Sequence, residues 1–169
     1  MDVDKAMRDR YSCRKFTGEQ VSDEELEAIL EAGRTAPSAC NNQPWRFVVL
    51  QGDDLAKVDA CSKCRYGAQT AILVCFDVDE SAKNPAVTPD YGWIDCGLAI
   101  MQMALEAESL GVASCIVGAY DPAAAREAFN IPENVVTYQF LMLGHAGQGP
   151  SRMHFDRRPM EEIVVRGGF

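Results

Sequence analysis

Apolar residues fall into three rhythms along the chain. In the first, Leu26, Ile29, Leu30 and Gly33 share one face of a helix. Ser22 and Glu25, three residues apart, form the capping box that opens it. Ala36-Pro37-Ser38 ends it, because a residue before proline is pushed out of helical dihedrals. A shorter helix is expected ahead of Arg10. In the second rhythm, Trp45 to Leu50 and Ala71 to Phe76 read as strands, separated by a helix through Leu55, Val58 and Ala60. The unbroken apolar run Ala71-Ile72-Leu73-Val74-Cys75-Phe76 predicts a strand covered on both faces. Lys83 to Pro89, with two prolines and an asparagine, is a loop.

The third rhythm runs from Tyr91 to Gly111. Asp95, Gln102, Glu106 and Ser109 form one narrow polar stripe on this longest helix, and most of its circumference is apolar. Such a helix must be buried on several sides, in the centre of the domain or at a subunit interface. Ser114 to Val117 gives a short strand, Asp121-Pro122 opens another helix, and Val135 to Leu143 gives the last strand. After Gly144 the chain turns polar and irregular and reads as an extended arm. The alternation of strands and helices predicts a layered α/β or α+β fold. With no internal repeat or linker, residues 1–169 are expected to form one domain.

The chain is 47% hydrophobic and 24% charged, an ordinary globular balance, and carries a net charge of -9. That acidity argues against nucleic acid or an anionic membrane as partner. No apolar run is long enough for a membrane span, and acidic residues stand at the start where a signal peptide would be basic. A cytoplasmic location is expected. Two basic clusters break the acidity: Arg8, Arg10, Arg14 and Lys15 near the start, and Arg152, Arg157, Arg158 and Arg166 near the end. They read as a small-anion site or as solvated surface charge. Seven cysteines, an odd number scattered through apolar segments, do not suggest a disulfide scaffold.

Two segments carry candidate chemistry. In Arg10-Tyr11-Ser12-Cys13-Arg14-Lys15-Phe16, an extended backbone turns Arg10, Ser12 and Arg14 to one side, where two guanidinium forks and a hydroxyl suit a phosphate. Taken alone, a basic surface strand explains it more simply. The second is Ala36-Pro37-Ser38-Ala39-Cys40-Asn41-Asn42-Gln43-Pro44-Trp45, a stiff loop of small and amide side chains bracketed by prolines. It can read the edge of a planar heterocycle, or it can satisfy its own backbone as a turn.

The two segments in this order, Arg-x-Ser-x-Arg-x-Phe and then Ala-Pro-Ser-Ala-x-Asn-x-Gln-Pro-Trp, resemble the opening of the nitroreductase family. The resemblance continues in Asp95-Cys96-Gly97-Leu98-Ala99, in the run from Leu110 to Ala119 and in Arg157-Arg158-Pro159-Met160-Glu161-Glu162-Ile163. It implies an α+β, three-layer α/β/α sandwich with a mostly antiparallel central sheet and a C-terminal arm exchanged in a homodimer. It also implies non-covalent FMN at the dimer interface. Arg10, Ser12 and Arg157 would hold the phosphate or ribityl region, and Arg14 would stand near the pyrimidine edge of the flavin. Pro37, Ser38, Ala39, Asn41 and Gln43 would come from the partner subunit, and Ile116, Val117 and Gly118 would present backbone to the flavin's central edge.

The implied activity is ping-pong transfer from NADH or NADPH to small electron-poor acceptors such as nitroaromatics or quinones. Flavin-fragmenting and dehalogenating activities are variants within the same family. No side chain is required as acid, base or nucleophile, since the cofactor carries the chemistry. Cys40 stands where the family often has glycine, which calls that loop's geometry into question. Alternatives are a flavin-binding protein without turnover and a thiol-redox module at Cys61 and Cys64. One Cys-x-x-Cys pair supplies only half of a usual zinc site, and no metal is expected. Gly144-His145-Ala146-Gly147 reads as a turn.

Overall fold

Strand Thr70–Asp77 is buried along all but its last residue, and the computed structural model, which describes residues 2–169, shows why. It lies second in a four-stranded antiparallel sheet made with Trp45–Gln51, Val135–Gly144 and Ala113–Val117. Numbered along the chain these are β1 (Trp45–Gln51), β2 (Thr70–Asp77), β3 (Ala113–Val117) and β4 (Val135–Gly144), in spatial order β1-β2-β4-β3. The register sets Val48 opposite Leu73, Leu73 opposite Phe140, and Val117 opposite Phe140. Because side chains alternate along a strand, β2 and β4 feed two separate cores. Ile72, Val74, Phe76, Leu141 and Leu143 face one layer of helices, and Leu73, Cys75, Phe140 and Met142 face the other. That double coverage is what the continuous apolar run encodes.

The first helical layer holds α2 (Asp23–Arg34) and α4 (Gly92–Leu110), with α1 (Val3–Asp9) packed on α4. The opposite layer holds α3 (Asp54–Cys61) and α5 (Pro122–Ala128). The α2 capping box is complete: the Ser22 hydroxyl accepts from the Glu25 N–H at 3.2 Å, and the Glu25 carboxylate accepts from the Ser22 N–H at 2.9 Å. These bonds hold the Glu25 carboxyl below its ordinary range. Gly33 lets α2 approach α4 closely, since a Cβ there would lie 2.8 Å from Met103 Cγ. Asp121 caps α5 by accepting from the Ala123 and Ala124 N–H groups, with Pro122 as first helical residue.

α4 ends on Gly111, whose φ of +81° permits the left-handed turn in which the Val112 N–H reaches back to the Ala107 carbonyl. One flank of α4 (Cys96, Ala99, Ile100, Met103 and Ala107) is buried in the core. The opposite flank leaves Trp93, Ile94, Leu98 and Met101 each at least 40% exposed. Asp95 departs from the polar stripe read in the sequence. It is in helical register with Gln102, Glu106 and Ser109 yet only 1% exposed.

Beyond β4, the chain runs back along the N-terminal segment. Ala146 bridges Phe16, the Thr17 N–H donates to His145 O, and the Gly147 N–H donates to Lys15 O at 2.8 Å. The Gly144–Gly147 stretch is thus a pairing segment as well as a turn. The arm then holds only a 3-10 turn (Arg152–His154) and α6 (Met160–Ile163), and Met160, Ile163, Val165 and Phe169 are all exposed. No helix among the described residues is long and apolar enough to cross a membrane.

Candidate functional site

Residues Arg10 to Phe16 run extended along the free edge of β3. Ser12 bridges Ser114 in parallel, and the Cys13 N–H donates to Ser114 O at 2.9 Å. On the far side, the Phe16 N–H donates to Tyr66 O. Cys13 and Phe16 are buried, which turns Ser12 and Arg14 outward and leaves Arg10 half-buried beside them. Arg10, Ser12 and Arg14 line a recess of about 250 Å³, closed on its other side by Arg157, Ser151 and His154 of the arm. Four residues read as anion ligands from the sequence therefore converge, although Arg10 and Arg157 lie at opposite ends of the chain.

The electrostatics of this recess differ from the rest of the surface. Ion pairs take up Arg8, Arg34, Arg46 and Arg65 elsewhere. Among the described residues, no carboxylate lies within ion-pair distance of Arg10, Arg14 or Arg157. Tyr11 borders the recess and donates its hydroxyl to Gln148 O at 2.6 Å. Burial and the neighbouring Cys13 push its phenol up to about 12, so it stays protonated. A roomier groove of about 560 Å³ among α1, α2 and α4 has no cationic residue in its wall, and Glu31 and Glu106 border it. Of the two, the smaller recess is the one whose charge suits an anion.

The loop Pro37–Gln43 sits elsewhere. It enters β1, and β2 and β4 separate it from β3, a lateral offset of roughly 14 Å at ordinary strand spacing. Cys40, Asn41 and Gln43 all take left-handed backbone, with φ of 55°, 55° and 51°. Cys40 thus adopts a left-handed conformation that a glycine takes without strain. Among the bonds that hold that shape, the Gln43 N–H donates to Ser38 Oγ at 2.9 Å, the Asn41 N–H to Ser38 O at 2.9 Å, and the Ala39 N–H to Asp95 Oδ1 at 3.0 Å, while the Asn42 side-chain amide reaches Glu80 O at 2.9 Å. Asp95 Oδ2 is buried without a hydrogen-bond partner. Desolvation raises the Asp95 carboxyl above its ordinary value, against the bond from Ala39.

Of the remaining expected residues, Ile116 is half-buried, Val117 buried and Gly118 exposed at the end of β3. A Cβ on Gly118 would meet Gln139 Nε2 at 3.1 Å, a crowding internal to the chain. The Cys61 thiol is buried and donates to Val58 O, and burial pushes it up, away from the thiolate that redox exchange requires. Cys61 and Cys64 are both free. Among the described residues, no group of three or more His, Cys, Asp or Glu could hold a metal ion.

Sequence reasoning did not single out His154, Ser151 or Asp95 for the site. The spacing of His154 and Arg157, three apart beside the aromatic Phe155, is the available signal for the first.

The sequence model of the nitroreductase family matches residues 7–66 and 57–145. The chain belongs to the nitroreductase family. It is 35% identical over 145 residues to a provisionally named NADH dehydrogenase/NAD(P)H nitroreductase of Archaeoglobus fulgidus, covering 80% of each chain. Its fold matches a nitroreductase family protein of Clostridium difficile with a TM-score of 0.94 at 32% identity, over 100% of both chains. It also matches a provisionally named nitroreductase from Desulfovibrio desulfuricans, whose structure is a complex with FMN. There the TM-score is 0.87 at 32% identity, over 100% of this chain and 98% of the other. The α+β sandwich with its antiparallel sheet is the nitroreductase fold. Its cationic recess fits the phosphate of a flavin mononucleotide, because a dianion would supply the negative charge that no carboxylate among the described residues brings to these guanidinium groups.

Proposed function

We propose that the protein is a homodimeric, FMN-dependent NAD(P)H oxidoreductase that reduces small electron-poor acceptors, nitroaromatics and quinones among them. The observation that carries this reading is the convergence of Arg10, Arg14 and Arg157 with the Ser12 hydroxyl in one recess free of carboxylates. The FMN complex of the Desulfovibrio relative supports the same cofactor. When bound, FMN supplies two-electron chemistry, taking hydride from a nicotinamide and passing electrons to an acceptor in alternation.

The chain's own residues bind and orient. Arg10, Ser12 and Arg157 take the phosphate and ribityl end. Arg14 is assigned to the pyrimidine edge, where a fixed cation favours the negative charge that reduction brings. Ile116, Val117 and Gly118 offer backbone at the ring's central edge. Pro37, Ser38, Ala39, Asn41 and Gln43 serve the site of the other protomer, because within one chain they lie across the sheet from the recess. The exposed flank of α4 and the apolar residues of the arm are the surfaces that a second copy would cover.

The purified protein should be yellow, with bands near about 370 and 450 nm. Anaerobic NADH or NADPH should bleach it within seconds, and a quinone or nitroaromatic should restore the colour. Bleaching by dithionite alone would favour a flavin-binding protein without turnover, and protein that takes up no FMN would end the proposal.

A further inference from the structure

Nothing in the sequence motifs gives His154 a role, yet it forms part of the wall of the cationic recess. It closes the 3-10 turn Arg152–His154, where its N–H donates to Ser151 O at 2.9 Å. Arg157 clamps the same turn by donating from Nη1 to Met153 O at 3.3 Å and Asp156 O at 2.8 Å. Histidine and arginine therefore share one hydrogen-bonded turn. The imidazole, half-buried, is wedged edge-on against two aromatic rings, Tyr11 at 6.2 Å and Phe155 at 4.8 Å between centroids. Tyr11 is itself fixed by its bond to Gln148 O. Among the described residues, the ring nitrogens of His154 have no hydrogen-bond partner.

An imidazole oriented by packing, short of a hydrogen-bond partner and set beside three guanidinium groups that have no carboxylate partner is arranged to donate to an anion. We propose that His154 is a phosphate-binding residue of the flavin site, contributed by the arm together with Arg157. This rests on the FMN reading above and extends it. The ring donates an N–H to a phosphate oxygen in either protonation state, so the contact does not require a charged imidazole. Two molecules could bring a phosphate monoester here, FMN and the 2′-phosphate of NADPH. Tyr11 and His154 lie beside the Arg10–Ser12–Arg14 face that the flavin uses, which assigns the contact to FMN.

The test compares FMN with riboflavin, which lacks only the phosphate, on the full-length protein stripped of flavin and reconstituted. His154→Ala should weaken FMN binding about tenfold, the loss of one hydrogen bond to a charged group, and leave riboflavin binding unchanged. His154→Phe keeps the edge contacts to Tyr11 and Phe155 and should bind FMN no better than the alanine variant. Equal weakening of both flavins, with recovery in the phenylalanine variant, would show that His154 only packs the arm and would overturn the proposal. Unchanged FMN affinity with a raised KM for NADPH, but not for NADH, would move the contact to the nicotinamide and overturn it as well. Wild-type protein that binds neither flavin sinks the FMN reading itself. Wild-type protein that binds FMN with an affinity His154→Ala leaves unchanged sinks only the assignment of His154.

Discussion

The two edges of the sheet solve different problems. At the β3 edge, the chain covers itself: residues 10 to 16 pair with Ser114, Tyr66 and the His145–Gly147 stretch, and they present unpaired cations from a firmly bonded backbone. At the β1 edge, the loop Pro37–Gln43 holds three left-handed residues, tied by bonds within the loop and to Asp95 and Glu80, and it lies across the sheet from the cationic recess. The first edge is complete in one protomer. The second takes its meaning only in the proposed dimer, where strain in a short loop would be stored for the site of another copy.

Breaking the proposed contact between copies should have the largest effect. Leu98, 43% exposed on α4, would meet its counterpart or a neighbour across a two-fold interface. Leu98→Glu should cost the dimer about 3–6 kcal/mol, counting two copies of a buried apolar side chain. Sedimentation should show monomers, and FMN should be lost with the dimer. Arg10→Ala breaks the self-contained edge instead: it should cost about 1.5–3 kcal/mol of FMN affinity and leave the dimer intact, read by flavin titration beside sedimentation.

The Asp95 anchor gives a smaller effect, one that depends on pH. Its carboxyl is raised in the folded chain, so the folded state takes up a proton before the unfolded one. Wild-type stability relative to Asp95→Asn should therefore grow as pH falls through the raised native value, and level off below the ordinary value of 3.8. Urea midpoints of both variants across that window measure it, and parallel curves would show that Asp95 does not titrate this way. The smallest change is expected from Cys40→Gly. Relief of a left-handed cysteine, offset by the greater freedom of glycine when unfolded, should stabilise by about 0.5 kcal/mol in thermal unfolding.

What the sequence made legible was local or periodic. Ser22 and Glu25 signal a capping box because both partners lie within four residues, and both bonds form. The run Ala71 to Phe76 announces a central strand, since only coverage on both faces tolerates it. The double-sided apolar pattern of α4 predicts burial on several sides, and the chain itself covers only one flank. Asp95 was misread because periodicity places it on the polar stripe, and a residue 56 positions earlier, Ala39, closes over it. Burial of that kind is decided by a loop's path, which no helical period records. His154 escaped notice for a related reason: its neighbours Tyr11 and Arg10 lie more than a hundred residues away, and only the pairing of the arm with Lys15 and Phe16 brings them near.

The backbone stretch that carries Arg10, Ser12 and Arg14 also seals the outer strand of the sheet. An uncovered strand is a template on which other molecules add, and proteins guard such borders against fibrous or amorphous precipitation. Here the guard and the proposed cofactor grip are one piece of chain. Occupancy of the grip would steady the guard, and protein emptied of its prosthetic group would be the form that clumps in storage.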